Sequence, residues 1–334
     1  MSKFEKWDET CSLESLQNIA DACVHCGKCR ENCAFLDKYE MDLGDVTKLQ
    51  EHVYGCFLCG NCDRVCPAGI SGRQLFQNLR RMQVRDGKLE EKPYSFVLKE
   101  KKDYKFRNYR NATAGRVLFP GCNFPSMFPK TNRKIADLCK AKGIGTVYDC
   151  CGKPIAELGL YRDEERIVNR ISRELESRDI GEVITTCPNC YYFLKERIPQ
   201  RVRSIYEVLP ELVPEISVPK DIEIQIPCPD RIDREWYDGI CKLLGYEPAV
   251  TAAEQCCGLG GMASAEEPEL AKKFGEGLTS SGLRNTTFCA SCAGQYARNG
   301  KEIRHVLSLL LGMEEAPTTK TSYLNRVKTK YKWK

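Results

Sequence analysis

The sequence predicts an α+β protein of more than one domain: a helical, cysteine-rich N-terminal domain followed by two similar α/β half-domains. Three observations predict this. The 334 residues are enough for two or three domains with their own cores. The twenty-one cysteines fall into regularly spaced groups rather than being scattered. The second two thirds of the chain repeats itself, with β-like runs alternating with helix-like stretches.

Composition narrows the class. Hydrophobic residues make up 42% and charged residues 29% of the chain, as expected of a globular protein. The net charge is +5, from 51 basic and 46 acidic residues, too balanced to argue for a nucleic-acid partner. Met1 to Thr10 is charged and lacks an apolar core, so no signal peptide is expected. The longest apolar stretch, Val306 to Met313, is short and interrupted by Ser308 and Gly312. It is far below the ~18 residues of a membrane span. A cytoplasmic protein is expected, meeting a membrane only through a partner. In that setting, cysteines at short regular spacings point to metal rather than to disulfides.

Residues 1–92 hold nine cysteines among short helical stretches and are expected to form the N-terminal domain. Residues 93–114 are basic and aromatic without a clear period and read as a linker. Residues 115–215 and 216–313 are the two half-domains. Residues 314–334, ending KTKYKWK, read as a solvated basic tail.

Cys23-Val-His-Cys26-Gly-Lys-Cys29-Arg-Glu-Asn-Cys33 has the spacing C-x2-C-x2-C-x3-C. Cys56-Phe-Leu-Cys59-Gly-Asn-Cys62-Asp-Arg-Val-Cys66-Pro67 repeats it. Three closely spaced thiolates wrap three corners of a cubane [4Fe–4S] cluster, and the fourth cysteine of each run ligates the other cluster. The expected ligand sets are therefore Cys23, Cys26, Cys29 and Cys66, and Cys56, Cys59, Cys62 and Cys33. Four-cysteine zinc sites also use C-x2-C pairs, but three cysteines at x2 plus a fourth at x3, twice over, is iron–sulfur spacing. Ala34, not Pro, follows Cys33. The 22 residues between the runs look helical rather than like a hairpin, which favours an all-helical two-cluster, ferredoxin-like domain. His25 is expected to hydrogen-bond and tune its cluster rather than ligate it.

The repeat carries Cys122, Cys150-Cys151-Gly152 and Cys187-x2-Cys190 in its first copy. The second carries Cys228, Cys256-Cys257-Gly258 and Cys289-x2-Cys292, displaced by 106, 106 and 102 residues. In both copies 27 residues separate the first cysteine from the pair. Such matched spacing implies two pseudo-symmetric half-domains. Each cysteine group ends a β-like run: 116–122, 146–152, 182–190, 222–228, 249–258 and 285–292. Helix-like stretches lie between, such as 132–142, 164–176 and 265–278. Parallel sheets would then place all these thiols at the carboxyl ends of strands, where open α/β sheets hold their ligands. Gly152 and Gly258 are expected to remove side chains where a cluster or substrate approaches the backbone, and Gly260 and Gly261 are candidates for the same role. Zinc in one half, on four of its five cysteines, stays open. Cys139 and Cys241 lie on apolar helical faces and read as core; Cys11 has no partner spacing.

The patterns C-x27-CCG-x34-C-x2-C and C-x27-CCG-x30-C-x2-C, with the phrases VLFPGC, DCCGKP, CCGLGG and CDRVCP, resemble the twin CCG domains of the heterodisulfide reductase family. Over about residues 20–313 the chain looks like the D subunit of that family, or like its C and B subunits fused. The resemblance implies that the five cysteines of each copy hold a non-cubane [4Fe–4S] cluster. One would use Cys122, Cys150, Cys151, Cys187 and Cys190; the other Cys228, Cys256, Cys257, Cys289 and Cys292. It further implies that a small disulfide is cleaved or formed between them, with electrons from a flavoprotein or other donor subunit reaching two cubane clusters first. The architecture also resembles the iron–sulfur subunits of glycolate oxidase and anaerobic glycerol-3-phosphate dehydrogenase. That branch implies the alternative, a non-catalytic subunit passing electrons from a flavin dehydrogenase towards quinone. No G-x-G-x-x-G or P-loop is present, so flavin and nucleotide binding are expected in a partner.

Overall fold

The computed structural model describes residues 9–251, 256–279 and 281–333. The charged N-terminus read above lies almost wholly outside them. The chain forms two compact units, Met1–Lys102 with Pro154–Glu165 and Glu254–Gly277, and Asp103–Lys153 with Arg166–Ala253 and Leu278–Lys334. It is a mixed helix-and-sheet protein with two sheets, as expected of the α+β class.

The first unit is helical, with no strand among its described residues. Its helices are short and begin at polar caps. Ser12 and Ser15 form a reciprocal capping box ahead of Leu13–Ala20. The Asp45 and Ser71 side chains accept from the third residue of Val46–Glu51 and of Gly72–Arg85, respectively. Along Gly72–Arg85, Leu75, Phe76, Leu79 and Met82 recur at helical spacing and turn one buried face to the core. That face meets Leu16, Phe35, Leu36, Leu43, Val46 and Leu49, with Phe35 edge-on to Phe76 at 5.8 Å.

Two segments from beyond residue 150 complete this unit, which the sequence-based boundaries did not anticipate. The Glu267 carboxylate accepts from Lys38 Nζ at 2.6 Å and Tyr39 Oη at 2.5 Å. Phe274 packs edge-on to Phe57 at 5.0 Å. Glu164 pairs with buried Arg81 at 3.0 Å. The half-domains expected at 115–215 and 216–313 therefore each lend a stretch to the N-terminal helices.

Both sheets lie in the second unit. The first comprises β1 (Asn108–Asn111), β2 (Gly115–Phe119), β3 (Gly145–Tyr148), β4 (Ile180–Thr185) and β5 (Arg201–Ser204), in the order β1-β3-β2-β4-β5. The second comprises β6 (Ile222–Gln225), β7 (Ala249–Val250), β8 (Arg284–Thr287) and β9 (Arg304–His305), in the order β7-β6-β8-β9. Strands β2 to β5 and β6 to β9 are parallel and share one order, so the sequence repeat is also a topological repeat. β1 is the exception, running antiparallel to β3. The end of central strand β2 is apolar, and its Val117, Leu118 and Phe119 are fully buried. The expected run 249–258 is a strand only at Ala249–Val250, and residues 252–255 lie outside the described residues.

Two expected unstructured segments are folded. Residues 93–114 are not a bare linker: they contain the helix Ser95–Lys101 and strand β1, and they bury Tyr94, Leu98, Tyr104, Phe106 and Tyr109. The aromatic rings that broke the period are what packs. Residues 314–334 are not a solvated tail as far as they are described. The helix Ser322–Tyr331 buries Asn325 and Thr329. Asn325 Nδ2 donates to Ser126 O at 3.0 Å, and Asn108 Nδ2 donates to Thr329 O at 2.8 Å. Upstream, the Glu315 carboxylate accepts from the Lys130 and Thr131 amides at 2.9 and 2.7 Å, capping the helix Pro129–Ala141. Polar groups that looked solvated bond the backbone of helices packed against this segment.

His305 ends β9, fully buried between the Phe124 and Phe128 rings at 4.9 and 5.1 Å. Its Nδ1 accepts from Leu307 N at 3.2 Å. Burial pulls its imidazole down to about 3. The unfolded chain takes up a proton below about pH 6.5 that the folded state refuses, so stability is full above that pH and falls towards pH 3. The non-titrating variant His305→Asn should lose about 2 kcal/mol less than wild type between pH 7 and pH 5 in urea unfolding.

Candidate metal centres

In the first unit the two cysteine runs adopt one backbone form. His25 and Leu58, two residues after the first cysteine of each run, have φ of 50° and 49°. Gly27 and Gly60 follow at 74° and 68°. Bulky residues held at positive φ are uncommon and concentrate at functional sites. The payoff is local geometry: His25 N donates to Cys23 Sγ and Leu58 N to Cys56 Sγ, both at 3.4 Å.

The structure brings the thiols together across the two runs. Cys23, Cys26, Cys29 and Cys66 line one cavity, with Asp42, Leu43 and Pro67. Cys33, Cys56, Cys59 and Cys62 line another, with Phe35, Phe57, Leu58, Arg73 and Phe76. Each cavity thus takes three cysteines from one run and the last from the other. The first lies near water: Cys26 is exposed, and Cys23 and Cys66 are half-buried. In the second all four are buried. His25 is exposed, with Nδ1 2.8 Å from Asp42 Oδ2. Cys23 Sγ, His25 and Asp42 offer ligand atoms within 4.8 Å of one another.

Burial pushes the Cys56 and Cys62 thiols well up, and those of Cys23 and Cys29 less far. Left alone, such thiols stay protonated. Convergent thiols in a dry pocket become thiolates only when a cation is bound, and a pure-sulfur set is soft. The donor chemistry therefore fits an iron–sulfur cluster or zinc at each cavity.

In the second unit the cysteines of the first set stand at or just beyond strand ends, as expected, whereas Cys256 and Cys257 of the second set lie in the first unit. Cys122 follows β2, Cys150 and Cys151 follow β3, and Cys187 follows β4 and precedes the helix Pro188–Leu194. These strands are neighbours, β3-β2-β4, so their ends gather the thiols. Cys151 hydrogen-bonds with Cys150 and Cys190, which pulls its thiol down to about 5. Cys190, bonded to both Cys151 and Cys187, is pushed up. Cys122 packs against the cluster of Tyr104, Phe106 and Cys150. All five cysteines of the first set are thus assembled.

Of the second set, Cys228 follows β6, while Cys289 follows β8 and precedes the helix Ala290–Arg298, which carries Cys292. A hydrogen bond from Cys292 pulls the Cys289 thiol down to about 7. Asn189, inside Cys187-x2-Cys190, donates from Nδ2 to Cys289 Sγ at 3.5 Å, linking the two C-x2-C motifs. Cys256 and Cys257 are buried in the segment Glu254–Gly277 of the first unit, where Gly258 N donates to Cys256 Sγ at 3.3 Å.

The glycines of the triplets make room for protein. Gly152 has φ 95°, and a Cβ there would sit 3.0 Å from Ile167 Cγ2. Gly258 has φ 80°, and a Cβ would lie 2.4 Å from Ala271 O. Left-handed backbone and close helix packing demand glycine at both. Cys139 is fully buried, its thiol pushed up to about 12, and Cys241 is half-buried.

Sequence reading missed the groups that hold the first triplet. Asp149 is fully buried and accepts from Cys150 N at 2.7 Å, Tyr109 Oη at 2.9 Å, and Arg170 Nη1 and Nη2 at 2.5 and 3.2 Å. Its position directly before the Cys-Cys pair was the available signal; Arg170, on a charged helix, offered none.

Known families match both cysteine-bearing regions. A 4Fe-4S dicluster domain matches residues 19–70, and a cysteine-rich CCG domain matches 117–195 and 233–295. The chain is 22% identical to the D subunit of the Dihydromethanophenazine:CoB–CoM heterodisulfide reductase of Methanosarcina barkeri, over 87% of this chain and 90% of that one. It is 24% identical to the B subunit of the Fumarate reductase (CoM/CoB) of Methanothermobacter marburgensis, over 76% of this chain and 62% of that one. It is 22% identical to the Glycolate oxidase iron-sulfur subunit of Escherichia coli, over 77% and 83%. It spans only 55% to 62% of the length of three of its curated relatives. Thiol-only centres on a dicluster domain define an iron–sulfur cluster protein. With its two CCG-domain regions, the chain is similar to heterodisulfide reductase D subunits. No helix among the described residues is long and apolar enough to cross a membrane.

Asp149→Asn should destabilise the second unit by about 1.5–3 kcal/mol, because it removes the buried charge that half-buried Arg170 and Tyr109 bond. Denaturant unfolding of the variant beside wild type measures the loss.

Proposed function

We propose that the chain is the iron–sulfur subunit of an oxidoreductase that reduces, or forms, a small-molecule disulfide, with electrons supplied by a partner subunit. In this reading Cys23, Cys26, Cys29 and Cys66 hold one cubane cluster, and Cys33, Cys56, Cys59 and Cys62 the other. Cys122, Cys150, Cys151, Cys187 and Cys190 hold a non-cubane cluster, and Cys228, Cys256, Cys257, Cys289 and Cys292 a second. When bound, such clusters supply one-electron redox chemistry, with potentials set by charge, hydrogen bonds to sulfur and exposure.

The observation that carries the reading is the assembly of five thiols at the ends of three adjacent strands, with a thiolate favoured at Cys151. A four-ligand zinc site needs no fifth thiol. The chain's own residues keep this arrangement. Asp149 and Arg170 fix the backbone at Cys150. Lys153 N donates to Cys151, and Asn189 donates to Cys289. Both stabilise negative sulfur, as a centre that binds and releases thiolates requires. Reduction of a disulfide consumes two electrons and two protons and yields two thiols; the partner supplies the electrons and water the protons.

The similarity to the glycolate oxidase iron–sulfur subunit supports a second reading, in which the chain only relays electrons from a flavin dehydrogenase. One preparation separates the two. Anaerobically purified protein should carry about sixteen iron atoms per chain, matching four [4Fe–4S] clusters, and should show a thiol-dependent paramagnetic signal. It should also reduce a disulfide with an artificial donor. Copurification with a flavin dehydrogenase, about twelve iron atoms from only one filled CCG site, and no disulfide reduction would favour the relay.

A further inference from the structure

Arg80 is a buried cation held by backbone carbonyls. It sits within Gly72–Arg85 and is fully buried. Nε donates to Val53 O at 3.0 Å, Nη1 to Glu157 O at 2.7 Å and Gly261 O at 2.6 Å, and Nη2 to Cys56 O at 2.7 Å. Every acceptor is a backbone carbonyl. The Tyr54 ring lies 5.1 Å away. The Glu157 carboxylate lies near enough to attract it and accepts from Gly261 N at 3.3 Å. A buried cation is costly unless an anion matches it. Through Nη2 it holds the backbone of Cys56, a member of the buried four-thiol set.

The two thiol sets of this unit each have a carboxylate against a thiol but differ in the cations beside them. The buried set has Arg80 behind Cys56 and Arg73 on its wall, two guanidiniums, beside the Asp63 carboxylate, 3.4 Å from Cys62 Sγ and 3.8 Å from Arg73 Nε. The set near water has the Asp42 carboxylate on its wall, 3.9 Å from Cys23 Sγ and fixed by Gly44 N at 2.8 Å. Lys28 there is exposed, so its charge is screened.

We propose that Arg80 is the counter-charge of the cluster held by Cys33, Cys56, Cys59 and Cys62. With Asp42 on the other set, it orders the two potentials so that electrons pass from the exposed cluster to the buried one. This rests on the cluster reading above. Each electron added makes a thiolate-bound cluster more negative, so a fixed cation favours the reduced form and a fixed carboxylate opposes it. Burial alone acts the other way, by penalising the more charged form. Arg80 offsets that penalty from inside the same dry region, where a charge is least screened. Arg80 is a positioning residue as well, because the same guanidinium holds Glu157 O and Gly261 O in the segments that follow the two Cys-Cys-Gly triplets.

The test is a redox titration of full-length protein at pH 8, followed by electron paramagnetic resonance, with iron and sulfide quantified in each sample. Arg80→Gln should lower one midpoint, and Arg80→Lys, which keeps the charge, should lower it less. Asp42→Asn should raise a different midpoint, the lower of the two. Equal shifts for Arg80→Lys and Arg80→Gln, or none with iron retained, would overturn the proposal. So would an Asp42→Asn shift on the higher midpoint. If the Arg80 variants do not fold, Asp42→Asn still decides the order. Wild-type protein without iron would overturn the cluster reading itself, a separate outcome from unmoved midpoints in iron-loaded protein.

Discussion

A thiol taken out of water stays protonated unless positive charge meets it, and the first unit is organised around that constraint. Eight of its cysteines converge in two sets, five of them buried, and burial raises the thiols of Cys56 and Cys62. The surrounding structure answers with N–H groups aimed at sulfur, from His25 and Leu58, and with one buried guanidinium. Those donors exist only because His25 and Leu58 accept left-handed backbone. Helices remain short because the chain must turn around each set, and caps at Ser12, Asp45 and Ser71 keep those short helices intact.

The second unit meets the same constraint with a different device. Parallel strands deliver cysteines to their carboxyl ends, and the following helix begins at the cysteine itself, as at Cys187 and Cys289. Hydrogen bonds among neighbouring thiols then favour a thiolate at Cys151 and at Cys289. The device recurs because the strand order recurs, β3-β2-β4-β5 and β7-β6-β8-β9. The copies differ at the residue before the Cys-Cys pair. Asp149 anchors the first through Arg170, whereas Gln255 stands at that place in the second.

Much of the fold was legible because it follows from local patterns. The helices at 129–141 and 161–176 were visible as periodic stretches, and β2, β4, β6 and β8 as apolar or β-branched runs. The segment 93–114 and the C-terminal stretch were misread for one reason. Their signals are polar and aromatic, and only long-range partners such as Ser126 and Trp333 reveal that these groups are buried or bonded. Gly152 and Gly258 looked like gaps left for a ligand, yet Ile167 and Ala271 occupy the space, which no local pattern could show.

By itself the sequence determined the cysteine spacings, the repeat and the alternation of strand and helix, because each depends on residues close together in the chain. Only the tertiary structure decided which charges stand beside which thiols. Arg80 reads as one more basic residue on an amphipathic helix, and its four acceptors lie 24 to 181 residues away. Glu267 meets Lys38 across 229 residues. Electrostatics in a dry interior depend on distance in space rather than along the chain. The chain's spacing therefore announces thiol-bound metal, while the fold sets the charges around each group of thiols.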